Sequence, residues 1–186
     1  MVYAAARQDQ QPDQGATGVV HAVSLDDGKE VWSHPLGESP RFDPVDAPVV
    51  GDGLVYVPTG TGPLLALELD TGGEAWRFDP PDGVQASPAL ADDTLYAGCL
   101  DGRLRALDAE TGEVEWVGGG EKYWGGPTVG KRGVYAVGSE GEVASWTRDG
   151  RERWRVRIDP RVSGSPAPAD GRLFVGTNDG LLYALA

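Results

Sequence analysis

The chain has 186 residues, with 29 acidic against 16 basic side chains and a formal net charge of −13. That balance excludes the basic surface that nucleic-acid phosphates require, and it disfavours binding to anionic membranes. No apolar run is long enough for a transmembrane helix, and the first residues lack the basic start and apolar core of a signal peptide, so we predict neither. The compartment is not determined by the sequence.

The composition also bears on habitat and redox chemistry. Acidic residues are abundant and lysines number only three, a balance typical of salt-adapted proteins, whose surface carboxylates hold water. Cys99 is the single cysteine, which excludes an intramolecular disulfide and leaves the redox environment open.

In chain order, short strand patterns follow one another and no long helical pattern occurs. Residues 2–4 predict a strand, and residues 8–17 predict a long hairpin loop. Residues 87–117 then show a complete unit, in which four apolar segments with period two are separated by Asp-Asp, Asp-Gly and Thr-Gly turns. Four short antiparallel strands in about 40 residues are typical of one blade of a β-propeller. The sequence therefore predicts an all-β propeller.

A repeat in which tryptophan, glycine and alanine recur at fixed distances from one another supports this prediction. Four tryptophans are separated by 44, 40 and 38 residues: Trp32, Trp76, Trp116 and Trp154. Each has a glycine four places earlier: Gly28, Gly72, Gly112 and Gly150. Each has an alanine ten places earlier: Ala22, Ala66, Ala106 and Ala144. The repeat units are predicted at residues 1–36, 45–80, 85–118, 124–158 and 163–186 of one domain.

The third unit carries the fullest form of the motif, Ala106-x-Asp108-x-x-Thr111-Gly112-x-x-x-Trp116. It resembles the tryptophan-docking motif of pyrroloquinoline-quinone (PQQ) repeat propellers, in which the indole packs on a neighbouring blade. The second unit is nearly as close. The fourth is weakest, with Trp146 at the expected acid position and Asp149 at the threonine position. The resemblance implies a structural docking role for the four tryptophans and four glycines.

Two groups of proteins share this motif, and they imply different functions. One is the non-catalytic propeller of the lipoprotein that assists outer-membrane barrel assembly; the other comprises quinoprotein dehydrogenases, which bind PQQ and calcium. We predict a non-enzymatic interaction scaffold or ligand-sensing module, with a fragment of a PQQ- and calcium-dependent dehydrogenase as the alternative. A third possibility is the sensor half of a larger regulatory protein. The family is often extracytoplasmic.

The residues themselves predict no catalytic, cofactor or metal site. The Asp-Gly and Asn-Asp-Gly sequences recur one per unit and are explained as hairpin turns, without the dense carboxylates of a calcium loop. A quinone ring would need an aromatic floor with converging arginine or amide groups. Trp124 and Trp146 are the two tryptophans outside the docking phase, and neither brings those groups with it.

One basic segment departs from the acidic background. Four arginines alternate with other residues in the last outer strand: Arg151, Arg153, Arg155 and Arg157. Alternation in a strand predicts that all four lie on one face. They protect an edge strand from unwanted pairing, or they form an interaction strip for an acidic protein partner.

The repeat arithmetic predicts an incomplete ring of three full blades with a partial blade at each end. Rings of this family usually have seven or eight blades. We therefore expect a fragment of a longer protein, a self-assembling half-ring, or a small closed ring in which the ends share strands. The exposed blade faces of an arc favour self-association.

Overall fold

The computed structural model describes residues 1–8, 16–39, 46–51, 53–158, 161–162 and 164–186. Regular structure in these residues consists of eighteen strands and no helix. The strands form five antiparallel sheets in which neighbours in sequence are neighbours in space. The all-β prediction is confirmed, and part of the predicted loop at residues 8–17 lies outside the described residues.

Each sheet is one blade. Blade 1 contains β1 (Val2–Gln8), β2 (Ala16–Val23) and β3 (Glu30–Ser39). Blade 2 contains β4 (Val49–Gly51), β5 (Leu54–Pro58), β6 (Leu64–Glu68) and β7 (Glu74–Phe78). Blade 3 contains β8 (Ala89–Ala91), β9 (Thr94–Gly98), β10 (Arg103–Asp108) and β11 (Val114–Gly119). Blade 4 contains β12 (Thr128–Gly130), β13 (Gly133–Val137), β14 (Glu142–Trp146) and β15 (Glu152–Arg157). Blade 5 contains β16 (Ala167–Ala169), β17 (Arg172–Gly176) and β18 (Leu182–Leu185).

Position in the blade determines strand composition. The first strands of blades 2 to 5 have three residues each. Each contacts the first strand of the next blade: β4 contacts β8, β8 contacts β12, and β12 contacts β16. The third strands β6 and β10 are buried on both faces over most of their length and carry leucine and alanine, as in Leu64–Glu68. The outer strands consist mainly of exposed and half-buried residues.

Every outer strand contains a β-bulge immediately before its tryptophan. In blade 3, Ala106 faces Trp116 while Leu107 faces Val114, so Glu115 is the extra residue. The extra residues of blades 1, 2 and 4 are Val31, Ala75 and Arg153. A bulge bends the strand and increases its twist. It therefore turns each indole out of its own sheet.

The apolar core lies between blades. Four clusters of buried side chains each combine residues from two neighbouring sheets. The cluster between blades 1 and 2, for example, contains Val20 and Trp32 with Val55 and Leu67. Burying these faces against one another is the main favourable contribution to blade association. We call each of these interfaces a seam.

Candidate functional site

Three of the predicted docking tryptophans each lie on a predicted glycine of the next blade, whereas Gly28 meets no side chain among the described residues. Trp76 of blade 2 lies on the turn of blade 3, where Gly112 has φ +74° and a β-carbon would lie 2.7 Å from the indole ring. Trp32 lies in the same way on Gly72, and Trp116 on Gly150. Glycine is required at these positions because the backbone is left-handed and the ring leaves no room for a side chain.

A hydrogen bond completes each contact. The indole nitrogen Nε1 donates to a turn carbonyl of the next blade: Trp32 to Leu69 at 2.8 Å, Trp76 to Ala109 at 3.0 Å and Trp116 to Arg148 at 2.8 Å. The polar motif residues stabilise the turn itself. In blade 3, the backbone nitrogen and the hydroxyl of Thr111 both donate to Asp108, at 2.7 and 2.8 Å.

Sequence reasoning missed the role of a tyrosine in the second strand. Tyrosine rings lie beside the docking indoles of blades 1 to 4, at centroid distances of 5.7 to 6.2 Å: Tyr3, Tyr56, Tyr96 and Tyr135. The Tyr56 hydroxyl also donates to the Ala109 carbonyl, at 3.1 Å. The signal was present, because Tyr56 and Tyr96 each precede the marker alanine by ten residues.

The structure corrects the alignment of the fourth unit. Trp154 faces Ser145 rather than Ala144, because the turn of blade 4 is one residue shorter than the others. Gly150 donates to the carbonyl three residues earlier, whereas Gly112 donates to the carbonyl four residues earlier. Ser145 is fully buried, and its hydroxyl has no hydrogen-bond partner among the described residues.

The same shift gives Trp146 a different place from the one predicted. Trp146 faces Val134, in the row that Leu107 occupies in blade 3, and only 1% of it is exposed. Its place is in the core of the seam between blades 3 and 4, not at the acid position of the motif. Arg155 lies over its ring at 5.7 Å. Trp146 is therefore unavailable as a stacking floor for a planar cofactor.

The four arginines do not form one uniform face. The bulge at Arg153 interrupts the alternation of β15. Arg155 bonds Glu142 and Glu152 and donates to the Gly119 carbonyl of blade 3 at 2.7 Å. Arg157 bonds Glu121 and donates to the Glu140 carbonyl at 2.9 Å.

Arg155 thus joins blade 4 to blade 3, and Arg157 joins blade 4 to the connection between blades 3 and 4. Arg153 and Arg151 are both exposed, and Arg153 donates to the Arg132 carbonyl at 2.8 Å. The side chain of Arg157 is 62% exposed as well, so Arg155 is the member of the strip that is drawn into the structure.

The connection from blade 3 to blade 4, residues 120–127, presents one aromatic side chain to solvent. Trp124 is 53% exposed, whereas its neighbour Tyr123 is 1% exposed. Burial raises the pKa of the Tyr123 hydroxyl, which has no hydrogen-bond partner among the described residues. The ring of Tyr123 lies in the core of the seam between blades 3 and 4 and holds the connection in place.

Backbone contacts fix the same connection on both sides. The Glu121 carboxylate accepts from the backbone nitrogens of Glu140 and Glu142, at 2.9 and 3.4 Å. The Lys122 carbonyl accepts from Ser139 at 2.8 Å, and Tyr123 donates to the Cys99 carbonyl. Trp124 therefore projects from a firmly held segment.

An ion pair lies in blade 3 at the hairpin that follows Cys99. Arg105 and Asp101 are joined by two hydrogen bonds, and their side chains are 10% and 11% exposed. Hydrogen bonding to Arg105 lowers the pKa of Asp101. Arg105 also lies over the Phe78 ring of blade 2, at 5.6 Å. Burial raises the pKa of the Cys99 thiol to about 11.

These residues do not make a fitting site for PQQ or calcium. In the described part of the chain, no group of three or more histidine, cysteine, aspartate or glutamate side chains is placed to hold a metal ion. Trp146 is buried in a seam, and no arginine contact to Trp124 occurs among the described residues. Likewise, no helix among them is long and apolar enough to cross a membrane.

The chain is similar to parts of longer known proteins. A quinohemoprotein alcohol dehydrogenase of Comamonas testosteroni is 31% identical over 163 residues, which cover 73% of the chain and 22% of the dehydrogenase. The serine/threonine-protein kinase AfsK of Streptomyces griseus is 33% identical over 105 residues, covering 52% of the chain and 13% of the kinase. The chain thus spans about a fifth or less of the length of these relatives.

Among solved structures, BamB from Moraxella catarrhalis has a TM-score of 0.74 and 20% identity. It covers 100% of the chain, and the match takes up 61% of that structure. The likeness shows the propeller fold. The family model described as outer membrane protein assembly factor BamB matches residues 16–123 and 120–186. The chain therefore belongs to this family of PQQ-repeat propellers.

Proposed function

We propose that this propeller is a non-enzymatic scaffold that binds a protein partner through the connection between blades 3 and 4. The observation that carries the proposal is the contrast between Trp124, which is 53% exposed, and Tyr123, which is 1% exposed. A tryptophan held in solvent by a rigid segment is the type of side chain that dominates binding at protein interfaces.

The rigidity matters energetically. A flexible loop loses conformational entropy when it binds, and this loss offsets part of the contact energy. The connection at Trp124 is already held by the Glu121 carboxylate and the buried Tyr123 ring. Ordering cost on binding is therefore small. The exposed pair Arg151 and Arg153 lies at the end of β15 opposite to Arg157 and Glu121, and it provides a separate basic contact for an acidic partner.

Affinity capture with matched variants tests the scaffold. The tagged chain and its Trp124→Ala variant are compared in extracts of the source cells, with Val117→Ala as the control because Val117 is 47% exposed on an outer strand. We expect one protein to be retained by the parent chain and the control and to be reduced at least tenfold with Trp124→Ala. Equal retention by all three would contradict the proposal.

Arg151→Glu and Arg153→Glu test the basic contact separately. Both side chains are exposed, so the folded structure tolerates the change. We expect weaker capture and a smaller dependence of capture on salt, since charge pairs at an interface are screened by ions. Unchanged capture with both substitutions would remove the arginines from the interface.

The alternative is that the chain is part of a PQQ- and calcium-dependent dehydrogenase. It is favoured by the 31% identity to the quinohemoprotein alcohol dehydrogenase, although the match covers 22% of that enzyme. Titration with PQQ in the presence of calcium, followed by tryptophan fluorescence, separates the two functions. Saturable one-to-one quenching supports the dehydrogenase, and a flat response supports the scaffold.

Ligand sensing within a larger regulatory protein is a third candidate, and the similarity to the kinase AfsK favours it.

The acidic composition supports a further proposal about habitat, namely adaptation to high salt. With a net charge of −13, self-repulsion weakens the folded state at low ionic strength. We expect the thermal midpoint to rise between 0.1 and 2 M KCl by more than it rises with an uncharged osmolyte.

A further inference from the structure

Three cationic side chains lie around the connection that carries Trp124. Lys122 is exposed and comes two residues before Trp124. Arg157 donates to the Glu140 carbonyl at 2.9 Å, and Nε of Arg161 lies 3.4 Å from the Glu140 carboxylate. The hairpin that carries Glu140 is in turn bonded to the Lys122 carbonyl. These residues therefore form one continuous surface, which we call the Trp124 face and define as residues 120–124, 138–142, 157 and 161.

The cations of the Trp124 face are more exposed than its carboxylates. The side chains of Arg157 and Arg161 are 62% and 73% exposed, whereas those of Glu121 and Glu142 are 17% and 15% exposed. The Glu140 side chain, at 54%, is the exception, and it lies beside Arg161. The outward charge of this surface is therefore positive, although the chain as a whole carries a net charge of −13.

The corresponding connection between blades 2 and 3 has the opposite character. Residues 79–84 expose the side chains of Asp79 and Asp82. The segment contains no basic and no aromatic residue. A requirement of the propeller fold would act on both connections alike, so it does not account for Lys122 and Trp124.

We propose that the Trp124 face binds an acidic segment of a partner polypeptide, with an apolar side chain on the Trp124 indole and carboxylates at Lys122 and Arg161. The inference rests on the proposed scaffold function and names the chemistry of the partner. Opposite charge steers the segment to the surface and fixes its register. A guanidinium group can hold a carboxylate through two parallel hydrogen bonds, which adds geometric specificity at Arg161. Arg157 adds its charge while it bonds Glu121.

The neighbouring acidic connection restricts the occupant to a short segment. Both connections are bonded to the hairpin of blade 3, through the Gly83 carbonyl and the Tyr123 nitrogen. A long polyanion that crosses this hairpin would meet the exposed carboxylates of Asp79 and Asp82, and like charges repel. The positive charge is thus confined to blade 4, which favours a short acidic segment with one apolar side chain over a nucleic acid.

Peptide binding tests the chemistry of the partner. The probe is a fluorescein-labelled, acetylated nine-residue peptide with a central leucine, two glutamates on each side of the leucine and glycine elsewhere. One control peptide has glycine in place of leucine, and the other has lysines in place of the glutamates. Anisotropy is followed as the chain is added. We expect saturable binding of the probe and at least tenfold weaker binding of each control. Absence of binding, or equal binding of a control, would overturn the proposal.

Variants of the chain locate the peptide on the Trp124 face. Lys122→Glu and Arg161→Glu should each weaken binding at least fivefold, since both side chains are exposed and take no part in holding the connection. Lys29→Glu makes the same change in charge at an 80% exposed lysine of blade 1 and should leave binding unchanged. The thermal midpoint of each variant is compared with that of the parent chain to show that it is folded.

The outcomes separate this inference from the proposed function. If Trp124→Ala abolishes capture of the partner while both charge reversals leave capture and peptide binding unchanged, the scaffold function stands and the acidic segment is wrong. If Trp124→Ala changes neither capture nor peptide binding, the scaffold function fails as well. A labelled oligothymidylate that binds as tightly as the acidic peptide would assign the face to polyanions in general and overturn the proposal.

Discussion

The indole of Trp76 lies so close to Gly112 in the next blade that a β-carbon on this glycine would come within 2.7 Å of the ring. Gly112 also has φ +74°. Gly112→Ala therefore combines backbone strain of about 1 kcal/mol with a collision at the seam, and we expect a loss of about 2–4 kcal/mol in the free energy of unfolding. Urea unfolding followed by tryptophan fluorescence measures it.

Gly28 provides the matched control. Its φ is +71°, but a β-carbon there meets no atom within 4 Å. Gly28→Ala should therefore cost only the backbone strain, about 1 kcal/mol. If the two substitutions cost the same, the close approach of the indole does not contribute to stability.

Ser145 holds, in the seam between blades 4 and 5, the place that Ala106 holds in the seam between blades 3 and 4. Ser145→Ala removes a fully buried hydroxyl that has no partner among the described residues, so we expect stability to rise by about 1 kcal/mol. Differential scanning calorimetry would show a higher thermal midpoint. As a comparison, Tyr56→Phe removes a hydroxyl that donates to Ala109 and should lower the midpoint. A fall with Ser145→Ala would mean that the hydroxyl is bonded in solution.

The pair of Asp101 and Arg105 predicts a pH-dependent contribution to stability. Because Arg105 lowers the pKa of Asp101 in the folded chain, the pair stabilises the fold above the unfolded-state pKa of aspartate. The stabilisation is lost as the pH falls from about 4 through the lowered pKa. Asp101→Asn leaves Arg105 buried without its charge partner, and we expect a cost of about 3 kcal/mol at pH 7.

Urea unfolding at pH 7 and pH 3 measures this contribution, and the difference between parent and variant should shrink at the lower pH. Glu74→Gln breaks a pair with Arg77 whose side chains are 34% and 51% exposed, so it should cost less than about 0.5 kcal/mol. The double variant Asp101→Asn with Arg105→Leu should recover part of the loss, since blade 2 has Leu65 at this position.

The thiol of Cys99 should be inert in the folded chain. It is fully buried, and burial raises its pKa to about 11, whereas the thiolate is the reactive form. At pH 8 we expect a disulfide reagent to react with it at least a hundredfold faster in denaturant than in native buffer. Cys99→Ala is the blank, because the chain has no other cysteine. Fast native reaction would show that the seam between blades 2 and 3 opens.

The blades could be predicted from the sequence because their signals are local. Turn glycines, period-two apolar segments and the Trp116 motif each lie within a few residues, and they recur. The strands, the antiparallel order and the shorter sheets at both ends agree with that prediction. The bulge before each tryptophan has no such signal, since the extra residues Val31, Ala75, Glu115 and Arg153 share no property.

The fourth unit shows why spacing alone misled the alignment. Counting ten residues back from Trp154 gives Ala144, yet a shorter turn moves the pairing to Ser145. A second spacing gives the observed alignment. In the other units a proline precedes the marker alanine by 18 residues, as Pro88 precedes Ala106, and Pro127 precedes Ser145 by the same 18 residues. The contacts of Arg155 and Arg157 could not be predicted from the sequence. Their partners, Gly119 and Glu121, lie in blade 3 and in the connection that follows it, and only the folded structure brings them together.

The chain of contacts along the first strands gives the fold a quasi-one-dimensional character. In the described part of the chain, the first strands of successive blades contact one another, from β4 to β8, from β8 to β12 and from β12 to β16. Stability in such an array is a sum of unit and nearest-neighbour contributions. In the isolated 186-residue polypeptide, amide exchange should therefore be fastest in blades 1 and 5 and slowest in blade 3, which has two neighbours on each side.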